Sequence, residues 1–98
     1  MSNSSLTKDS VLIMPRGVRI KHDEVRDRTI LMAPERTLAL DGAGIAILEL
    51  VDGKKTVAEI VTVLAEKYDA PMQTIGNDVV AFVRDLINRG YLEIDDGA

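Results

Sequence analysis

The sequence predicts an α+β domain in which a small N-terminal sheet is followed by three packed helices. Apolar residues first alternate, at Val18 and Ile20, Leu31 and Ala33, then Leu38 and Leu40, as they do on strands with one buried face. From Ile45 onward they recur every three to four residues, the period of a helix. Between these runs stand residues that interrupt regular structure: Pro34, Asp41, Asp52-Gly53, Asp69-Ala70-Pro71 and Gly90.

The first strand is expected over 18–22, with Arg19 and Lys21 facing away from Val18 and Ile20. The alternating charges of Asp23-Glu24-Val25-Arg26-Asp27-Arg28 suit a solvated turn. Strands over 29–33 and 36–40 follow, separated by Pro34, which lacks an amide donor and holds Ala33 extended. Asp41 suits the N-cap of a first helix whose Ile45, Leu48 and Val51 share a face, with Asp52-Gly53 as its stop. Thr56 and Glu59 have the spacing of a capping box, and Val57, Ile60, Val61, Leu64 and Tyr68 form the stripe of a second helix. A third helix starts near 73–75 and buries Ile75, Val79, Phe82, Val83 and Leu86. Gly90 ends it, and 91–94 alternates like a strand that returns beside the sheet as a small wing. The architecture expected is winged-helix-like.

A chain of 98 residues with 46% hydrophobic content accommodates one core. The expected organisation is a loose N-terminal segment over 1–14, opening on polar Ser2-Asn3-Ser4-Ser5, a domain over 15–94 and a tail over 95–98. Tyr68, Phe82 and Tyr91 are the only aromatic residues, so aliphatic packing dominates and no platform for stacking bases is evident. A net charge of -4 disfavours a phosphate-tracking surface. No apolar run resembles a signal peptide or a bilayer span, so a soluble cytoplasmic protein without membrane contact is expected.

Covalent chemistry finds little support. Without cysteine there is no thiolate nucleophile and no Cys-based metal site. His22 is the single histidine and has no companion constellation beyond adjacent Asp23 and Glu24. Gly42-Ala43-Gly44 lacks the Lys and Ser or Thr of a phosphate-binding loop, and Asp41 and Glu59 have capping roles. The expectation is a recognition module rather than an enzyme, with no cofactor and no metal.

A set of ordered segments adds to this reading. Pro15-Arg16-Gly17-Val18-Arg19 leads into Asp23-Glu24-Val25-Arg26, followed by Leu31-Met32-Ala33-Pro34-Glu35, Leu38-Ala39-Leu40-Asp41 and Ile45-Ala46-Ile47-Leu48. Asp52-Gly53 then precedes Thr56-Val57-Ala58-Glu59-Ile60-Val61, and Asp78-Val79 leads to Leu86-Ile87-Asn88-Arg89-Gly90-Tyr91-Leu92. Over residues 15–94 the chain resembles the PqqD family of pyrroloquinoline quinone (PQQ) biosynthesis, peptide-recognition elements of pathways that modify ribosomally made peptides. The resemblance implies binding of the precursor peptide PqqA and its presentation to PqqE, a radical S-adenosylmethionine enzyme that would hold the iron–sulfur chemistry. It also implies a peptide surface on the third strand and the exposed side of the third helix. Asp27, where the family commonly has glycine, and His22, before the Asp-Glu pair, depart from its pattern.

An exposed strand can receive an extended peptide by sheet extension. The expected contact residues are Arg36, Thr37, Leu38, Ala39 and Leu40 on the strand, with Val80, Ala81 and Arg84 on the helix. Thr37 and Ala39 would leave room beside the strand, while Leu38 and Leu40 anchor its other face. The alternatives are a homodimer formed by an exposed strand or an exchanged N-terminal segment, and a winged-helix nucleic-acid reader using Arg84 and Arg89. Acidic Asp78 and Asp85 interrupt the charge of that helix and count against the second.

Overall fold

The computed structural model describes residues 6–95, and the polar opening at residues 2–5 lies outside them. In chain order the elements are β1 (Val11–Ile13), β2 (Arg19–Asp23), β3 (Arg28–Ala33), β4 (Arg36–Ala39), α1 (Gly42–Leu48), α2 (Val57–Tyr68), α3 (Met72–Asn88) and β5 (Glu93–Asp95). They form an antiparallel sheet in the order β2-β3-β4 and a separate pair, β1-β5. The expected α+β, winged-helix-like architecture is present.

The three-stranded sheet is two consecutive hairpins. In the first, the Asp23 carboxylate accepts the N–H groups of Val25 and Arg26 and so ties down the turn. Burial opposes ionisation there, but these N–H donors and the Arg26 guanidinium outweigh it and hold the Asp23 carboxyl below its usual range. In the second, Pro34 and Glu35 make the two-residue loop between paired Ala33 and Arg36. Directly opposed residues share a face, so Ile20, Leu31 and Leu38 point inward with fully buried Leu31 at the centre.

The starts of α1 and α2 are capped as their sequences dictate. Asp41 accepts the Gly44 N–H at 2.8 Å to start α1. Thr56 and Glu59 form the reciprocal box at the start of α2. The next two orphan donors of α2, the N–H groups of Val57 and Ala58, bond to the carbonyls of Ser10 and Lys8. Asp69, in a left-handed conformation, closes α2, and α3 starts directly after Pro71 at Met72, slightly earlier than its apolar period suggests.

Several expectations change in the folded chain. Residues 11–13, assigned by sequence to a loose segment before the domain, form β1, and Leu12 is completely buried. The C-terminal strand does not join the three-stranded sheet: Leu12 pairs with Ile94, while Tyr91 and Leu92 enter the core. The wing is therefore made of both ends of the described chain, and Asp95, placed in a tail by sequence, pairs with Val11. Tyr68, at the C-terminal end of α2, is 50% exposed and lines a surface depression with Leu64, Ile75 and Val79, whereas Ala65 is buried. On α1 the consecutive residues Ala46, Ile47 and Leu48 are buried, so this helix is enclosed on more than one face.

Candidate functional site

Among the described residues β4 pairs only with β3. The Leu40 N–H donates to the Thr29 carbonyl at 3.0 Å, and in an antiparallel ladder the bonded residues alternate. Arg36 and Leu38 therefore share with Leu40 the direction toward β3. The backbone N–H and C=O groups of Thr37 and Ala39 point away, to the open edge.

Beside this edge runs α3. Leu38, Ala39, Leu40 and Asp41 face Phe82, Asp85, Leu86 and Arg89 across a groove of about 260 Å³. Phe82, Asp85 or Leu86, and Arg89 succeed one another at three- and four-residue spacing, so one face of α3 forms the whole wall. The floor is apolar, whereas the rim carries Asp41 and the Arg89–Asp85 ion pair, with Nε and Oδ1 3.2 Å apart.

Two glycines shape the site by leaving space. A Cβ on Gly44 would stand 3.1 Å from the Phe82 ring, so its absence lets Phe82 sit against α1. Gly90 has φ +83, and a Cβ there would lie 3.0 Å from Arg36 Nη2. The Arg36 guanidinium instead covers the Tyr91 ring, 4.5 Å from its centroid, joining the start of β4 to the end of α3.

The structure thus brings Leu38, Ala39 and Leu40 together in the groove, with Thr37 on the open edge and Arg36 engaged by Tyr91. Ala81 is exposed one turn before Asp85, on the solvent flank. Val80 and Arg84 do not line this groove, because they lie about half a turn around α3 from Phe82 and Arg89. Val80 instead lines a separate depression with Leu6, Val57, Val61 and Met72. Phe82, Asp85 and Arg89, which line this groove, were not among the sequence-based contact residues, although the apolar period ending at Leu86 already placed Phe82 on the buried stripe of the third helix.

His22 and Asp27, the two departures from the resembling family, meet in the first hairpin at 3.4 Å, both exposed. No group of three His, Asp or Glu side chains among the described residues could hold a metal ion. No helix among them is long and apolar enough to cross a membrane.

A winged-helix-like α+β domain with an open strand edge beside an apolar helix groove is the class this geometry defines. The family described as PqqD, coenzyme PQQ synthesis protein D, matches residues 28–92. A protein of Rhodopseudomonas palustris strain TIE-1 called PqqA binding protein is 44% identical over 88 residues, spanning 90% of this chain and 86% of that one. Among solved structures, the PqqD portion of Methylobacterium extorquens PqqCD, described as a functional, stand-alone recognition element for ribosomally synthesised and modified peptides, is 40% identical with a TM-score of 0.78. The match covers 91% of this chain and 95% of that one. TbiB1, solved in complex with the TbiA(beta) leader peptide, is 27% identical with a TM-score of 0.70 over 82% of this chain and 93% of its own. The chain belongs to the PqqD family.

Proposed function

We propose that this protein binds the precursor peptide PqqA as an added strand on β4 and presents it to the radical S-adenosylmethionine enzyme PqqE in PQQ biosynthesis. The observation that carries this reading is the open β4 edge, with Thr37 and Ala39 directing backbone donors and acceptors outward beside the apolar α3 groove. The PqqA-binding relatives and the leader-peptide complex of TbiB1 support it.

Sheet extension supplies affinity through the backbone and leaves specificity to alternate side chains. Peptide side chains opposite Leu38 and Leu40 enter the groove against Phe82 and Leu86, and those between them lie on the outer face beside Thr37 and Ala39. Asp41 and the Asp85–Arg89 pair offer polar contacts at the rim. Binding must offset the ordering of an extended peptide, so the preformed edge and groove matter as much as the contact area. The protein acts by holding and orienting the peptide. Having no cysteine, it supplies no thiolate ligands for an iron–sulfur cluster, and that chemistry resides in the partner.

Isotope-edited NMR titration with PqqA tests the reading. Shifts are expected at Thr37, Ala39, Phe82 and Arg89, with none on addition of duplex DNA at matched salt. Absence of PqqA-induced shifts in the folded protein at high peptide concentration overturns it.

A further inference from the structure

The charges along the β4–α3 groove are sorted by its ends. Arg36, at the start of β4, reaches Gly90 and Tyr91 beyond the end of α3. Asp41, just past the end of β4, stands beside Phe82: a Cβ on Gly44 would meet the Phe82 ring at 3.1 Å and Asp41 Oδ1 at 3.2 Å. Strand and helix therefore run in opposite directions along the groove. Between its ends Asp85 and Arg89 pair with each other. That leaves Arg36 as the cation of one end and Asp41 as the anion of the other, five residues and about 17 Å apart along an extended chain.

Both side chains are held in place, and neither is neutralised. The Arg36 guanidinium lies over the Tyr91 ring, and a guanidinium stacked on a ring still presents N–H donors at its edge. Asp41 Oδ1 accepts the Gly44 N–H at 2.8 Å, while Oδ2 makes no hydrogen bond among the described residues. Among those residues no carboxylate lies in ion-pair range of Arg36, adjoining Glu35 included, and no cation lies in range of Asp41. Asp78, one turn before Phe82 on α3, adds a second exposed carboxylate near the Asp41 end.

We propose that Arg36 and Asp41 fix the direction and register of the bound peptide, Arg36 by taking a peptide carboxylate and Asp41 by taking a peptide ammonium or guanidinium. The inference rests on strand addition at β4. Backbone pairing accepts an added strand in either direction. A slip by one residue turns the apolar side chains out of the groove, but a slip by two keeps them facing Leu38 and Leu40. Opposite charges at the two ends separate these alternatives. A reversed peptide sets like charges against each other, and a peptide slipped by two leaves both ends unmatched. The segment that fits carries an acidic and a basic side chain about five residues apart, with apolar side chains facing the groove between them.

Arg36→Gln and Asp41→Asn each remove one charge. Asparagine caps a helix as well as aspartate does, so α1 keeps its start, and Arg36 is exposed and outside the core. Parent and variants, with folding checked by their amide spectra, are titrated at low and high salt with PqqA and with PqqA peptides in which each charged residue is replaced in turn by glutamine. Each variant is expected to bind PqqA about fivefold more weakly at low salt, with the loss fading at high salt. Arg36→Gln should be insensitive to loss of one PqqA carboxylate and Asp41→Asn to loss of one PqqA cation, the two lying about five residues apart. Parental affinity in both variants overturns the proposal, as does coupling at one end only. A loss in Arg36→Gln that adds to that of every acid-substituted peptide also overturns it and assigns Arg36 to holding β4 against Tyr91. Failure of the parent to bind PqqA removes the strand-addition reading instead and is seen in its own arm of the experiment.

Discussion

Asp27, Glu35 and Asp69 all hold left-handed backbone conformations, with φ of 51, 67 and 50. Left-handed geometry brings Cβ close to the following carbonyl and costs most L-residues about 1–2 kcal/mol, less for Asp and nothing for Gly. Asp27→Gly is therefore expected to stabilise the protein by about 0.5–1 kcal/mol in urea denaturation, since the exposed His22 contact it removes contributes little. Asp52 shows a second local device: its carboxylate accepts the N–H groups of Lys55 and Lys54 and pairs with the Lys55 ammonium at 3.0 Å. The Lys55 amide and ammonium, then the Lys54 amide, hold its carboxyl far below the ordinary 3.8. A lowered folded-state value means stability present above the unfolded value near 3.8 and lost as pH falls below it. Asp52→Asn should lower the thermal midpoint at neutral pH, with the difference from the parent closing in acid. Such devices act over two or three residues, and that is why the Asp41 cap and the Thr56–Glu59 box were legible in sequence. The Arg36–Tyr91 contact was not, because it joins positions far apart in the chain.

For the elements, register decides function. The alternation of 36–40 predicted which side chains face inward, but only the Leu40–Thr29 bond shows which amides face outward. Proline at an outward position removes a donor that β3 does not use, while proline at a paired position breaks the ladder. Thr37→Pro is expected to stay folded by NMR and to lose about tenfold or more in PqqA affinity, whereas Leu38→Pro should destabilise the sheet itself. Unchanged affinity in a folded Thr37→Pro protein would remove β4 as the platform. The helix side was less legible. Periodicity identifies a buried stripe, but it does not say which part of the remaining surface meets the sheet edge, and the groove beside β4 is walled by Phe82, Asp85 and Arg89, while Val80 lines a separate depression.

Across the whole molecule, β1 and β5 bring the two ends of the described chain together, and the carbonyls of Lys8 and Ser10 complete the start of α2. Residues 8–13 are thus part of the packed body. Leu12→Ala should cost about 2–5 kcal/mol in chemical denaturation, the range for a fully buried leucine. A near-neutral result would return this segment to a dispensable arm. Oligomeric state tests how the open edge is used. If β4 serves the peptide, light scattering should give a monomer before PqqA is added and a one-to-one mass after it, while an obligate dimer would show the edge occupied by a second copy.

The sequence by itself determined the order of the elements from β2 to β5, the caps at the starts of α1 and α2 and the absence of thiol chemistry, because alternation, helical period, capping and residue type are local properties. Only the tertiary structure decided that the C-terminal strand joins β1 rather than the main sheet, that the Phe82 face of α3 meets β4, and that the outer sheet face remains uncovered. Those outcomes depend on contacts between residues distant in the chain, where burial of Leu12, Tyr91 and Leu92 in one shared core competes with every other pairing the strands could make.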